Sequence, residues 1–127
     1  MIHLELPYPP SVNGYYRSPT KGPLAGRTLI SEKGRAYRRA IAELVASIPA
    51  DQTKAPAGRL AMFVRLYPPD RRRRDIDNPN KALLDALMHA GVIEDDSLID
   101  LLTIERQDIT KGGLVRICIT EYQKEAA

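Results

Sequence analysis

Two aspartates two residues apart, Asp75 and Asp77, stand directly before a segment of helical character, and Lys81 follows four residues after the second. In an extended segment residues i and i+2 project to the same side. Both carboxylates are therefore expected to face one way while Ile76 turns toward the core. A second acidic pair, Asp95-Asp96, lies beyond the helix. A helix from Pro79 to about Ala90 is roughly 18 Å long, and the return over residues 92–96 reaches at most roughly 17 Å. Doubling back would bring Asp95 or Asp96 level with Asp75 and Asp77. Three carboxylates meeting there form an all-oxygen site suited to Mg²⁺, with Mn²⁺ as a substitute. Lys81 falls in the first helical turn, where a cation opposes the dipole. It could hold a phosphate or orient an attacking water, or it could simply pair with Asp85 at i+4. Carboxylates, a divalent metal and a lysine together fit phosphodiester hydrolysis.

The surrounding charge fits the same chemistry. The net charge of +3 conceals a division: residues 1–74 hold 14 basic and 5 acidic side chains, and residues 75–127 hold 5 basic and 11 acidic. The basic half ends in Arg71, Arg72, Arg73 and Arg74, suited to gripping a polyanion beside a site that needs carboxylates. Tyr15-Tyr16-Arg17 joins aromatics to a cation, as base stacking would use them. Blander uses exist for each part. Asp-x-Asp before a helix serves as a capping turn, Asp95-Asp96 as a polar turn, an arginine run as a solvated face, and the tyrosines as loop packing.

Several classes are excluded. Hydrophobic residues at 43% and charged residues at 28% describe a globular chain with one core, not a disordered one. No run approaches the ~18 apolar residues of a membrane helix. The first residues lack the basic and apolar regions of a signal peptide, so a reducing cytoplasm is the expected setting. Cys118 is the single cysteine, which rules out an internal disulfide and a cysteine-based zinc site; in an alternating strand it reads as a small buried hydrophobe. His3 and His89 have no partner for metal binding and read as structural or exposed.

The elements that must position these groups are legible from periodicity. Ile2, Leu4 and Leu6 alternate as a strand that prolines end. Residues 7–30, rich in Pro, Gly and Ser, show no period and read as a long, mobile, functional loop. Ser31 is an N-cap for a helix with the stripe Tyr37, Ile41, Leu44, Val45 and Ile48, stopped by Pro49; Arg35, Arg38 and Arg39 lie off the stripe. Leu60, Met62, Val64 and Leu66 alternate as a second strand, closed by Pro68-Pro69. Asn78 and Pro79 are expected as N-cap and first residue of the second helix, with Leu83, Leu84, Leu87 and Met88 apolar and Gly91 as its C′ stop. Residues 98–107 and 114–122 read as strands joined at Thr110-Lys111-Gly112-Gly113 in a hairpin. The expected architecture is α+β: one domain over residues 1–127 in the order β-α-β-α-β-β, with a mixed, roughly four-stranded sheet, two helices and a C-terminal β-hairpin.

These residues, taken together, resemble a known family. Leu6-Pro7-Tyr8-Pro9-Pro10-Ser11-Val12-Asn13 with Tyr15-Tyr16-Arg17, the run from Ser31 to Arg38, and the central segment from Pro69 to Asn78 with Lys81, Asp85-Ala86-Leu87 and Ala90-Gly91 resemble the RusA family of Holliday junction resolvases. Asp95-Asp96, the segment 110–113 and Ile119-Thr120-Glu121 extend the resemblance over nearly the whole chain. It implies a homodimeric, Mg²⁺-dependent endonuclease that nicks four-way DNA junctions symmetrically in recombination and repair, with no nucleotide or organic cofactor. It further implies that Asp75, Asp77 and Asp96 bind metal, with Asp95 a less direct match, and that Lys81 is the catalytic lysine. Arg71 to Arg74, Asn13, Tyr16, Arg17 and Lys111 are the expected DNA contacts. Tyr8 stands where a Trp is frequent, Pro79 where an aliphatic residue is common, and the loop over residues 18–28 is longer than compact versions. The alternatives from other classes are a non-catalytic DNA-binding protein with a structural cation site and a metal nuclease for other branched DNA.

Overall fold

Apolar alternation on four strands builds one sheet. The strands are β1 (Ile2–Leu6), β4 (Leu60–Tyr67), β5 (Ile99–Arg106) and β6 (Leu114–Glu121), in the computed structural model, which describes residues 1–124. They lie in the order β1-β6-β4-β5, with β4 and β5 parallel and the other pairs antiparallel. The register aligns the apolar residues into rows: Ile2, Ile119 and Met62, then Leu4, Ile117 and Val64, then Leu6, Val115 and Leu66. All nine are buried.

Two helices cover this face. Helix α2 (Glu32–Ala46) contributes Tyr37, Ile41 and Val45 to the core, and helix α3 (Asn80–His89) contributes Leu83, Ala86 and Leu87. Both expected helix ends with strong local signals are present. Ser31 caps α2 by accepting from the Gly34 N–H. Gly91, at φ +79°, ends α3; its N–H donates to Met88 and that of Val92 to Leu87, the paired bonds of a glycine C-cap. The opposite face of the sheet carries Glu5, Arg116, Arg65 and Glu105 in one row across all four strands. Cys118 lies on this second face and is half-buried, so it is not the core hydrophobe expected.

The fold class is as the sequence suggests, and three local expectations change. First, residues 7–30 are not without regular structure: they contain α1 (Val12–Tyr15), β2 (Tyr16–Arg17) and β3 (Leu29–Ile30), with β2 and β3 antiparallel. Tyr15 is fully buried and anchors this segment. Second, β5 and β6 turn at residues 110–113 but do not pair with each other, because β4 lies between them. Helix α3 carries the chain from β4 to a parallel neighbour, which antiparallel hairpin geometry cannot do. The connection then crosses the proline-ended tip of β4, where the Gln107 and Thr110 N–H groups donate to Leu66 and Pro68. Third, α3 begins at Asn80, not at Pro79, and Asn78 does not cap it.

Candidate active site

The third change bears directly on the carboxylates. Residues 76–79 form turns, in which the Asn78 N–H donates to the Asp75 carbonyl and the Asn80 N–H to that of Asp77. The same-side rule for an extended i, i+2 pair does not apply to a turn. Ile76 does not point into the core; it is 40% exposed. Asn78 is released from capping, and its Oδ1 accepts from the Val12 N–H at 3.4 Å, tying α1 to the entrance of α3. Asp75, Asp77 and Lys81 are all exposed, around the start of α3.

The return after α3 stops short of that point. The Asp96 N–H contacts the Met88 Sδ at 3.2 Å, near the end of α3, whereas Asp75 and Asp77 precede its first turn. Asp95 caps the short turn Asp96–Leu98 by accepting from the Ser97 N–H. That hydrogen bond, and next the neighbouring Asp96 side chain, hold the Asp95 carboxyl below the ordinary carboxylate range. Among the described residues no three Asp, Glu, His or Cys side chains gather closely enough to enclose an ion. The expected convergence of three carboxylates is thus not assembled among the described residues.

The donor chemistry nevertheless fits a hydrated Mg²⁺ ion, which takes one or two carboxylates and keeps most of its waters. Among the described residues none of Asp75, Asp77, Asp95, Asp96 or Lys81 is in an ion pair. Beside Lys81, Asn80 Oδ1 is buried with no hydrogen-bond partner among the described residues. A buried acceptor left so costs about 1–3 kcal/mol unless water or a ligand's hydration shell supplies a donor.

The arginine run divides by role. Arg74 is half-buried and engaged: it binds Asp70 at 2.7 Å, lies 5.9 Å from the centre of the Tyr8 ring, and its carbonyl accepts from Arg106 at 2.6 Å. The Arg74 hydrogen bond, with that from the Arg72 N–H, pulls the Asp70 carboxyl down to about 2. A depressed carboxylate holds its partner above its unfolded pKa and releases it as pH falls through the folded one. This brace therefore persists until about pH 2. Arg71 and Arg73 are exposed and without an ion-pair partner among the described residues, and Arg72 reaches Asp70 only at 3.9 Å. Asn13, Arg17 and Lys111 are exposed as well, and Tyr16 stacks edge-on against Tyr15 at 4.9 Å.

One cluster escaped the sequence reading. Arg38 binds Asp85 at 2.6 Å and donates to the Tyr15 hydroxyl at 2.9 Å, and Tyr15 itself donates to Asp85. Burial first, and then Asp85, pushes the Tyr15 hydroxyl well above its usual range. The cluster joins α1, α2 and α3, and it takes Asp85 away from Lys81, so the i+4 pair considered above does not form. The signal available was an arginine flanking the apolar stripe of one helix and an aspartate flanking that of the next. Asp85→Ala strands a partly exposed guanidinium and a hydroxyl, so the loss stays below that of a fully buried pair, at about 2 kcal/mol. Thermal unfolding should show Tm lowered by about 5–10 °C; an unchanged Tm would mean that the cluster contributes no stability.

Comparison with known proteins accords with this arrangement. The family model described as Endodeoxyribonuclease RusA matches residues 7–120. The crossover junction endodeoxyribonuclease of Enterobacteria phage 82 is 39% identical over 123 residues, covering 97% of each chain. That of Enterobacteria phage HK97 is 40% identical, covering 93% of this chain and 92% of its own. The protein of the same name from Escherichia coli K12 is 38% identical over 96% of each. With the family model covering residues 7–120 and relatives matched almost end to end, the chain belongs to the RusA family of endodeoxyribonucleases.

Proposed function

We propose that the protein resolves Holliday junctions, nicking four-way DNA by Mg²⁺-dependent hydrolysis of one phosphodiester on each of two strands. The observation that carries this reading is the direct succession of Arg71 and Arg73 by the carboxylates of Asp75 and Asp77 at the mouth of α3, all four in no ion pair among the described residues. Relatives that match almost the full chain carry the name crossover junction endodeoxyribonuclease.

In this mechanism Asp75 and Asp77 would hold the hydrated ion at the start of α3, and Asp96, oriented by its neighbour Asp95, would join them by movement of the 95–96 turn when the ion binds. The bound divalent ion supplies charge to the scissile phosphate and acidifies a water. The Lys81 ammonium, free of Asp85, neutralises a non-bridging phosphate oxygen as charge develops there, or orients the water. The water oxygen bonds to phosphorus and gives up a proton to solvent, one P–O ester bond breaks, and the departing oxygen takes a proton from solvent. Arg71, Arg72 and Arg73 bind flanking phosphates, joined by Asn13, Tyr16 and Arg17 of the 7–30 segment and by Lys111. Arg74 acts as a brace for this surface instead. A junction with two-fold symmetry calls for two related sites, hence a homodimer.

Labelled four-way junction, flap and linear duplex, each with and without Mg²⁺, test the proposal. Paired nicks in the junction, dependent on the metal and absent from duplex, are expected. Equal cutting of flap and junction would replace it with a general branched-DNA nuclease, and binding without cutting would replace it with a non-catalytic junction binder.

A further inference from the structure

Beside Asp75 runs a groove of about 670 Å³ whose walls come from distant parts of the chain. Its lining joins Arg72 and Arg73 of the arginine run with the segment around Ser11 and with Lys33 at the start of α2. This volume is on the scale of a site for a drug-sized ligand, ample for a stretch of nucleic-acid backbone and large for a lone inorganic ion.

The charges in the groove are unbalanced. Among the described residues Lys33 and Arg73 have no ion-pair partner, and Arg72 has only the 3.9 Å approach to Asp70. Asp75 is the one carboxylate among the lining residues. Several cations facing one anion across a concave surface focus a positive potential. Lys33 stands in the first turn of α2, where a cation opposes the helix dipole, and it is in no ion pair among the described residues.

The placement of Lys33 is nonetheless well determined. Ser31 caps the helix and also donates to the Gly14 carbonyl at 2.6 Å. A Cβ on Gly14 would stand 3.8 Å from the Lys33 Cδ, so the lysine stem lies along α1. The fold thus holds a lysine in one groove with arginines some forty positions away in sequence.

We infer that this groove is a seat for backbone phosphates of the DNA strand that leads to Asp75, with Lys33 as a phosphate contact together with Arg72 and Arg73. The inference rests on the nuclease reading above and extends it by giving the bound strand a path between the 7–30 segment and the arginine run. Ser11 and Asn78 add polar groups along that path.

The test measures equilibrium binding of labelled four-way junction and of linear duplex without divalent metal, across about 50–200 mM salt. Each phosphate contact adds about 0.9 to the slope of log K against log salt on duplex DNA. Lys33→Ala is expected to lower that slope by about 0.9 and to weaken binding about 15-fold at 50 mM salt, narrowing to about fourfold at 200 mM. Lys33→Arg should restore both, and Lys33→Ala with Arg73→Ala should lower the slope about twice as much. Lys54→Ala, whose lysine lines a different cavity beside Gly91 and Val92, should leave the slope unchanged.

Lys33 is exposed, so an unchanged Tm is expected and separates lost contacts from lost folding. An unaltered slope in Lys33→Ala overturns the inference. So does an equal drop in Lys54→Ala, since that would reflect net charge alone. Because the slope is also read on linear duplex, a protein without preference for junctions would sink junction resolution while leaving the groove assignment standing.

Discussion

Asp75→Asn is expected to lower the cleavage rate on four-way junctions by about 10³-fold or more, while junction affinity measured without metal falls little or rises. The amide is nearly isosteric with the carboxylate but carries no charge, so it is a poor ligand for a hard divalent ion. Binding should survive because the groove keeps Lys33, Arg72 and Arg73, and loses its one carboxylate. Asp75 is exposed and in no ion pair among the described residues, so folding should be untouched and Tm should match the wild type. Single-turnover cleavage with saturating protein separates the two effects, because binding then no longer limits the rate. Cleavage at the wild-type rate would show that Asp75 is not part of the metal site.

Gly34→Ala should be the most damaging of the small substitutions, and through packing alone. A Cβ at Gly34 would stand 2.5 Å from the Tyr15 carbonyl oxygen and 2.7 Å from the Ile30 Cγ2. The carbonyl cannot retreat cheaply. It accepts from both the Ser31 N–H, at 2.8 Å, and the Ser31 hydroxyl, at 3.0 Å, and the Tyr15 side chain is fully buried. Overpacking of this kind costs at the upper end of about 1–3 kcal/mol or more, which corresponds to a Tm lower by about 10 °C. Relief requires α1 to lift from α2, which would also pull the Ser11 segment away from Lys33 in the lining of the groove and weaken DNA binding. Gly14→Ala is the control: its Cβ would meet nothing nearer than Ser11 Oγ at 3.4 Å. Thermal unfolding and junction binding of the two variants together check the argument. If both keep the wild-type Tm, the close approach at Gly34 does not restrict the fold.

The elements read correctly from the sequence are those whose signals are local. Ser31 as a cap and Gly91 as a stop act within one helical turn. The alternation in residues 2–6 and 60–66 reports a half-buried strand wherever that strand ends up. The errors lie where local signals compete with distant contacts. Asn78 has the preferences of an N-cap, but the Val12 N–H of α1 claims its side chain. Arg38 looks solvated on a helical wheel, yet Asp85 and Tyr15 arrive from two other elements to bind it. Residues 114–122 following 98–107 look like half of a hairpin until the crossover through α3 places β5 on the far side of β4.

The sequence by itself determined the family and suggested the chemistry proposed above. Residue types and spacing around Asp75, Asp77 and Lys81, and a charge balance that changes sign between Arg74 and Asp75, are properties of the chain order and need no coordinates. Only the tertiary structure decided which charges are free to act. Of four consecutive arginines, Arg74 is held by Asp70 and Arg106, whereas Arg71 and Arg73 are left for a ligand. Of two residues within reach of Asp85, Arg38 binds it and Lys81 is released. A side chain's type sets its charge, but its partners come from whatever the fold packs beside it, at separations that a local pattern cannot register.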